Sequence, residues 1–337
     1  MCPVVSVSQQ QEHKPVLLSE VIEYLRCTPG KLFVDGTVGG GGHARAILEK
    51  TAPDGRLIGI DWDEEALVKA RFNLQSYEER LVLVRENFAF IGSVLARLHI
   101  QEVDGILLDL GLSSFQVDEA ERGFSFGLAG PLDMRMDTRQ KRNAAHLVNT
   151  LGEDELAEII WNFGEERWHR RIARHIVRAR NEEAIETTDR LARVVCKAIP
   201  ASKRSRQRHP ATRTFQALRL AVNRELDHLQ TFLQGALDWL KPGGRLAIIS
   251  FHSLEDRLVK QTFVQWARSC RCPPRSPICQ CEGRPLVRLV NKKPVVPGKL
   301  EIKTNPRARS GRLRVVEKQK LHEQEEQKKV SQKKDSA

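Results

Sequence analysis

LFVDGTVGGGGH (Leu32–His43) sets a short apolar run against four consecutive glycines, and HARAILEK (His43–Lys50) follows with apolar residues at helical spacing. A buried strand that empties into a glycine loop and then a helix is the opening of a parallel α/β unit. Working outward, RLIGID (Arg56–Asp61), RLVLV (Arg80–Val84) and VDGILLDL (Val103–Leu110) read as three further buried strands. EEALVKARFNL (Glu64–Leu74) and FIGSVLARL (Phe90–Leu98) supply helices between them. Strands alternating with single helices imply crossover connections and a parallel sheet. Ligands of such sheets sit at the carboxyl ends of the strands, so the residues just after each strand become the candidates.

The alternation stops near Arg122. From there to His209 no strand is expected, only helical patterns such as EDELAEIIWNF (Glu153–Phe163) and RWHRRIARHIVRAR (Arg167–Arg180). One long helix over TFQALRLAVNRELDHLQTFLQGALDWL (Thr214–Leu240) then leads through Pro242-Gly243-Gly244 into a strand RLAIISF (Arg245–Phe251). This order implies an α/β domain formed by residues 10–120 and 210–316, interrupted by a helical substrate-binding unit at 121–209. Residues 317–337 are rich in Gln, Lys and Glu and read as a disordered tail.

Among 337 residues, 55 Lys and Arg oppose 43 Asp and Glu, a net charge of +12 that favours a polyanionic partner. No run approaches the roughly 18 apolar residues of a membrane span. The first residues, MCPVVSVSQQQEH, lack the basic-then-apolar order of a secretory signal, and seven cysteines in a chain of this length do not suggest a disulfide framework. The chain reads as cytoplasmic.

The strand ends suggest a nucleoside ligand. Gly39–Gly42 allow close approach of backbone to a ligand, and the next helix offers free N–H groups at its start. Asp61 follows Gly41 by about 20 residues, where an acidic side chain can accept both hydroxyls of a ribose. A dinucleotide would want a third glycine where Ala44 or Arg45 stands. S-adenosylmethionine, with a ribose and an adenine but no pyrophosphate, fits better. Phe88, after the third strand, is placed to meet an adenine. Asp109 sits in the apolar run ILLDLG, where a carboxylate is costly unless paired; the ammonium or sulfonium of that donor would pair it.

Nine blocks resemble the bacterial 16S rRNA cytosine-N4 methyltransferases, the MraW (RsmH) family: HKPVLLSEV (His13–Val21), DGTVGGGGH (Asp35–His43), GIDWD (Gly59–Asp63), DGILLDLGLSSFQ (Asp104–Gln116), ERGFSF (Glu121–Phe126), GPLDMRMD (Gly130–Asp137), HPATRTFQALR (His209–Arg219), ISFHSLEDR (Ile249–Arg257) and NPRARS (Asn305–Ser310). The resemblance implies a class I (Rossmann-like) S-adenosylmethionine-dependent methyltransferase fold with an inserted helical domain. It also implies methylation of a cytosine N4 amine in the decoding region of 16S rRNA. By matching positions, Gly41, Gly42, His43, Asp61, Phe88, Asp109 and Gln116 would hold the cofactor; His43 and Gln116 come from the resemblance alone.

Asp109 is the candidate acceptor for the amine N–H, with Ser113 and Ser114 as alternatives. His252, at another strand end, is either a contact to the base or a structural histidine. Two acid-free runs read as phosphate contacts: Arg167, Arg170, Arg171, Arg174, Arg178 and Arg180, then Lys203, Arg204, Arg206, Arg208 and Arg213. Cys270, Cys272, Cys279 and Cys281 form two Cys-x-Cys pairs six residues apart, which suits either a structural zinc or reduced thiols. Rival readings are an inactive ribosome-assembly factor and a methyltransferase of DNA or protein.

Overall fold

A computed structural model describes residues 14–204, 209–269, 272 and 284–320. Seven strands form one sheet: β1 (Leu32–Asp35), β2 (Arg56–Asp61), β3 (Leu81–Arg85), β4 (Val103–Asp109), β5 (Leu240–Ser250), β6 (Val287–Leu289) and β7 (Arg312–Lys318), in the order β3-β2-β1-β4-β5-β7-β6. The five strands from β3 to β5 run parallel, whereas β7 is antiparallel to both of its neighbours. That order and the reversed seventh strand are those of the class I methyltransferase fold expected from the sequence.

Period-two alternation sorts the strands between two cores. Val34, Ile58, Ile106 and Ile248 face one cluster, while Phe33, Leu57, Leu107 and Ala247 face the other. The helices α1 (Leu18–Leu25), α2 (Gly42–Lys50) and α3 (Glu64–Asn73) cover the second face through Val21, Ile47 and Ala70. Helix α4 (Ile91–Arg97) covers the first through Val94. A short helix α5 (Ser114–Asp118) follows β4. Next come α6 (Ala144–Thr150), α7 (Glu153–Gly164), α8 (His169–Glu182), α9 (Thr188–Ala198), α10 (Thr212–Asn223), α11 (Glu225–Gly235) and α12 (Ser253–Trp266).

Three features depart from the sequence reading. The single long helix is two: Arg224 adopts a left-handed conformation (φ 49°) that ends α10 and starts α11 at an angle. The break separates two packing allegiances, because Phe215, Leu218 and Val222 of α10 belong to a third, helical core with α6–α9, while Leu229, Phe232 and Leu233 of α11 pack on the sheet. By its core the inserted unit therefore extends to Val222, beyond a boundary at 209. Finally, β6 and β7 have no counterpart in the sequence reading, and Glu317 and Lys318 belong to β7 rather than to a tail. A charge disguises that strand: Arg314 in its middle is buried and satisfied by two hydrogen bonds to Asp256 (2.7 and 3.2 Å). Residues 321–337 lie outside the described residues. Among the described residues no helix is long and apolar enough to cross a membrane.

The helical unit is tied to the sheet by charge. Asp63 caps α3 through the Glu65 amide, and its other oxygen accepts from Arg122 Nη2 (2.7 Å) and Gln116 Nε2 (2.6 Å). Arg122 also donates to the carbonyls of Arg135 and Met136. Both members of the ion pair are nearly inaccessible, so removing one leaves an uncompensated buried charge. Arg122→Met should cost about 3 kcal/mol. Urea unfolding checks this; a midpoint unchanged from wild type would show the pair to be dispensable.

Candidate functional site

A cavity of about 1420 Å³ opens at the carboxyl ends of β1, β2, β3 and β4. Its lining brings together every candidate cofactor residue from the sequence: Gly41, Gly42, His43, Asp61, Phe88, Asp109 and Gln116. The loop after β1 reaches α2 through Gly41, whose φ of +89° a side chain would strain; a Cβ there would also stand 2.9 Å from Leu74 Cδ1. Gly111 makes the corresponding turn after β4 at φ +103°.

Asp61 is held by the backbone. Its Oδ2 accepts from the Gly39 amide (3.0 Å) and its Oδ1 from the Asp63 amide (3.0 Å). Each carboxylate oxygen keeps further acceptor capacity for a ligand hydroxyl. Burial pushes its pKa up to about 6, against the lowering effect of those amides. Phe88 opens a helical turn after β3, its ring edge-on to Phe232 at 5.8 Å. His43 Nε2 lies 3.0 Å from the Val16 carbonyl, and a carbonyl only accepts, so this nitrogen carries the proton. The same ring places Nδ1 at 3.5 Å from Asp109 Oδ2.

Asp109 is the most perturbed group of the site. Its backbone amide donates to Thr37 Oγ1 (2.6 Å), but its Oδ1 is buried with no partner. Burial raises its pKa well above the carboxylate range, and the charges of Asp35 and Glu255 raise it further. Such unsatisfied acids at strand ends concentrate at functional sites. Gln116 is committed on both sides: Nε2 to Asp63, and Oε1 to the Ser113 amide. Ser113 caps α5 through the same reciprocal box, which occupies its hydroxyl. The Ser114 side chain lies outside what is described.

His252 is placed as a helix cap. Its Nδ1 accepts from the Glu255 amide (3.3 Å) and its Nε2 lies 3.0 Å from Glu255 Oε1. Its sequence neighbour Phe251 and its partner Glu255 line the cavity, and His252 does not. Glu255 is buried, which would raise its pKa, yet His252 and Arg219 hold it below the ordinary range.

Of the basic candidates, Arg167, two residues before α8, and Arg170, Arg171, Arg174 and Arg178 along it are exposed, with Arg174 paired to Glu153. Arg180 instead donates to the Val148 and Leu151 carbonyls at the end of α6. In the second run Lys203, Arg204 and Arg213 are exposed, and Arg204 also donates to the Cys196 and Ile199 carbonyls. Arg213 donates to the Glu165 carbonyl. Arg206 and Arg208 lie outside the described residues, as do Cys270, Cys279 and Cys281. Cys272 is half-buried, and no group of three or more His, Cys, Asp or Glu suited to a metal exists among the described residues.

Sequence reasoning does not reach what the inserted unit and α11 bring to the cavity: Met136, Glu225 and His228. Glu225 is gripped by Arg219 across the break at Arg224 through two bonds (2.8 and 2.9 Å). His228 stands edge-on to Trp62 at 5.4 Å. All three are remote in sequence from the strand ends, and no local pattern marks them. The Glu255 cap does carry a signal, since it lies three residues after His252 in the reciprocal spacing of a capping box.

Residues 10–319 match the family model described as the MraW methylase family. The chain is 56% identical over 308 residues to the ribosomal RNA small subunit methyltransferase H of Syntrophobacter fumaroxidans, covering 91% of this chain and 97% of that one. It is 54% identical to the protein of the same name from Symbiobacterium thermophilum (91% and 96% covered), and 54% identical to that of Geobacter sulfurreducens (91% and 98% covered).

Beneath the cavity floor Asp35 is 1% exposed, and burial raises its pKa from 3.8 to about 7, opposed by the Thr37 amide and assisted by Asp61. The unfolded chain releases this proton first, so the folded state loses stability as pH rises from about 4 to about 7 and no more above that. Asp35→Asn removes the cost while keeping an acceptor for Thr37. Its advantage over wild type in denaturant unfolding should widen across that window to at most about 4 kcal/mol. Parallel pH curves for the two proteins would contradict the assignment.

Proposed function

The chain belongs to the MraW methylase family, and on that premise we propose that it transfers the methyl group of S-adenosylmethionine to the N4 amine of a cytosine in the decoding region of 16S ribosomal RNA. We place the reaction in the cytoplasm, on RNA held within the small ribosomal subunit. The observation that carries the reading is the convergence of seven residues, drawn from four strand ends, on one cavity with an unsatisfied carboxyl at its centre.

The residues present fit this cofactor. Asp61 has spare acceptor capacity for ribose hydroxyls, Phe88 offers an aromatic surface for an adenine, and the bend at Gly41 exposes the start of α2. Asp35, Asp61, Asp109 and Glu255 concentrate negative charge or its precursors around the cavity, which suits a ligand carrying a sulfonium and an ammonium. When bound, S-adenosylmethionine supplies an activated methyl group on that sulfonium.

The protein's task is then alignment, exclusion of water and management of one proton. Alignment of two reactants in a closed site is worth roughly 7–11 kcal/mol. The cytosine N4 lone pair is delocalised into the ring, so the amine gains nucleophilicity as an acceptor engages its N–H. Asp109 Oδ1, buried without a partner, is that acceptor in our reading. The methylated amine carries one proton too many, and the Asp109 carboxylate, kept ionised while a cationic ligand fills the cavity, would receive it. His43, 3.5 Å away, orients the Asp109 carboxyl.

The exposed arginines of α8 hold phosphates without reading sequence. The target base must leave its stack to enter the cavity.

Asp109→Ala should abolish methyl transfer to small subunits, measured with tritiated donor and with mass spectrometry of the digested rRNA. Near-normal turnover would remove Asp109 from the mechanism, and methyl groups on another nucleotide or on protein would overturn the substrate assignment. Replacing Arg170, Arg171 and Arg174 with Gln should weaken RNA binding and reduce the slope of log affinity against log salt by about 0.7 for each single-strand phosphate no longer neutralised. An unchanged slope would return that run to an ordinary solvated face.

A further inference from the structure

Trp161 is 51% exposed on α7. The helix buries Leu156, Ala157, Ile160 and Gly164, so Trp161 lies off its apolar face, among residues that meet solvent. Among the described residues its indole meets one ring, that of His169 at the start of α8, with centroids 5.0 Å apart and planes tilted by 38°. His169 is itself fixed, its Nδ1 at 3.1 Å from the Ala157 carbonyl on α7. Two aromatic rings on different helices are thus held together, with half of the Trp161 side chain exposed.

This pair terminates a basic seam. Helices α7 and α8 pack antiparallel: His169 meets α7 at Ala157 and Trp161, and Arg174 pairs with Glu153 at the opposite end. Arg170 and Arg174, one turn apart, continue the line that begins at Trp161. Arg171, Arg174 and Arg178 also depress the pKa of His175, after the larger effect of burial, which marks the local potential as positive. The seam abuts the reactive edge of the sheet. Glu165, one turn beyond Trp161, holds a left-handed conformation (φ 49°) and accepts hydrogen bonds from Ser253 (2.6 Å) and Arg257 (2.8 Å). Those two residues open α12, directly after the carboxyl end of β5.

We propose that Trp161, backed by His169, is a stacking platform for an unpaired nucleobase of the RNA, next to the phosphates held by the α8 arginines. An exposed indole beside guanidinium groups is the combination that single-stranded nucleic acid requires: cations follow the backbone, and a flat π-face accepts any base. An acidic protein would satisfy the arginines but leave the indole face without a matching group. The proposal deepens the function given above and rests on it, since a target base drawn out of its stack leaves neighbours that need a new stacking partner.

The test uses the full chain, a single-stranded 12-nucleotide RNA and purified small subunits. Trp161→Ala should weaken binding of the oligonucleotide about tenfold with an unchanged salt slope, because the arginines that meet phosphates stay in place. Trp161→Phe should restore most of that affinity. Wild type should bind an oligonucleotide with abasic positions as weakly as the Ala variant binds the intact one. S-adenosylmethionine affinity, read by calorimetry, should not move. Equal affinity of wild type and Trp161→Ala for the intact RNA would overturn the platform. So would a defect confined to whole subunits, which would assign the indole to a ribosomal protein. A wild-type protein that shows the Trp161-dependent binding yet methylates no rRNA would leave the platform standing and remove the function.

Discussion

Three carboxyl groups at the tips of adjacent parallel strands are what the molecule must accommodate. Asp35, Asp61 and Asp109 end β1, β2 and β4, and burial raises the pKa of each. Parallel strands point their carboxyl ends the same way, so these acids lie close together and repel one another: Asp61 and Asp109 line the cavity, and Asp35 is buried beside them. Asp61 is relieved by two backbone amides and Asp35 by one, but Asp109 keeps an oxygen with no partner. An arrangement so unfavourable by itself would be stabilised by a cationic ligand such as the proposed donor, and strain of this kind persists where function uses it.

The inserted helical unit answers to the same site. It is anchored by polar pairs rather than by continuous apolar packing. Arg122 reaches Asp63 beside the second acid, Arg219 grips Glu225 at the cavity wall, and Glu165 receives Ser253 and Arg257 from the helix after β5. Asp63 and Ser253 lie within three residues of the ends of β2 and β5, and Glu225 itself lines the cavity. Directional bonds fix orientation more narrowly than apolar contact does, and alignment is the contribution this chemistry asks of the protein.

How legible this is depends on locality. The glycine loop, the four strands and the acids at their ends are readable because each is a local pattern with one physical meaning, and the cavity collects those residues. His43 and Gln116 are not readable from the residues alone. Their roles rest on partners far away in the chain, Val16 and Asp109 for one and Asp63 for the other. The break at Arg224 is hidden because apolar spacing continues straight through it; only the change of packing partner requires a bend. Strand β7 is hidden by Arg314, a buried charge that looks like a surface residue until Asp256 is placed beside it. Arg180 shows the converse error: it reads as a phosphate contact, but its guanidinium is half-buried and donates to two carbonyls of the fold.

That converse error separates two uses of arginine within one sequence run. Of the α8 residues, Arg180 is spent on the fold, while Arg170, Arg171 and Arg178 extend into solvent. A net charge of +12 therefore overstates the charge available to a polyanion, and the free portion is narrower and better located than composition suggests. One part of it lies along α8, next to the Trp161–His169 pair, and α7 is joined through Glu165 to Ser253 and Arg257 of α12. In the function proposed, sequence-independent attraction along that seam followed by a cavity that admits one extruded base would divide recognition into a step that concentrates RNA and a step that selects. On that proposal the second step depends on RNA structure, because the fold of the RNA decides which bases stand unpaired within reach of the seam.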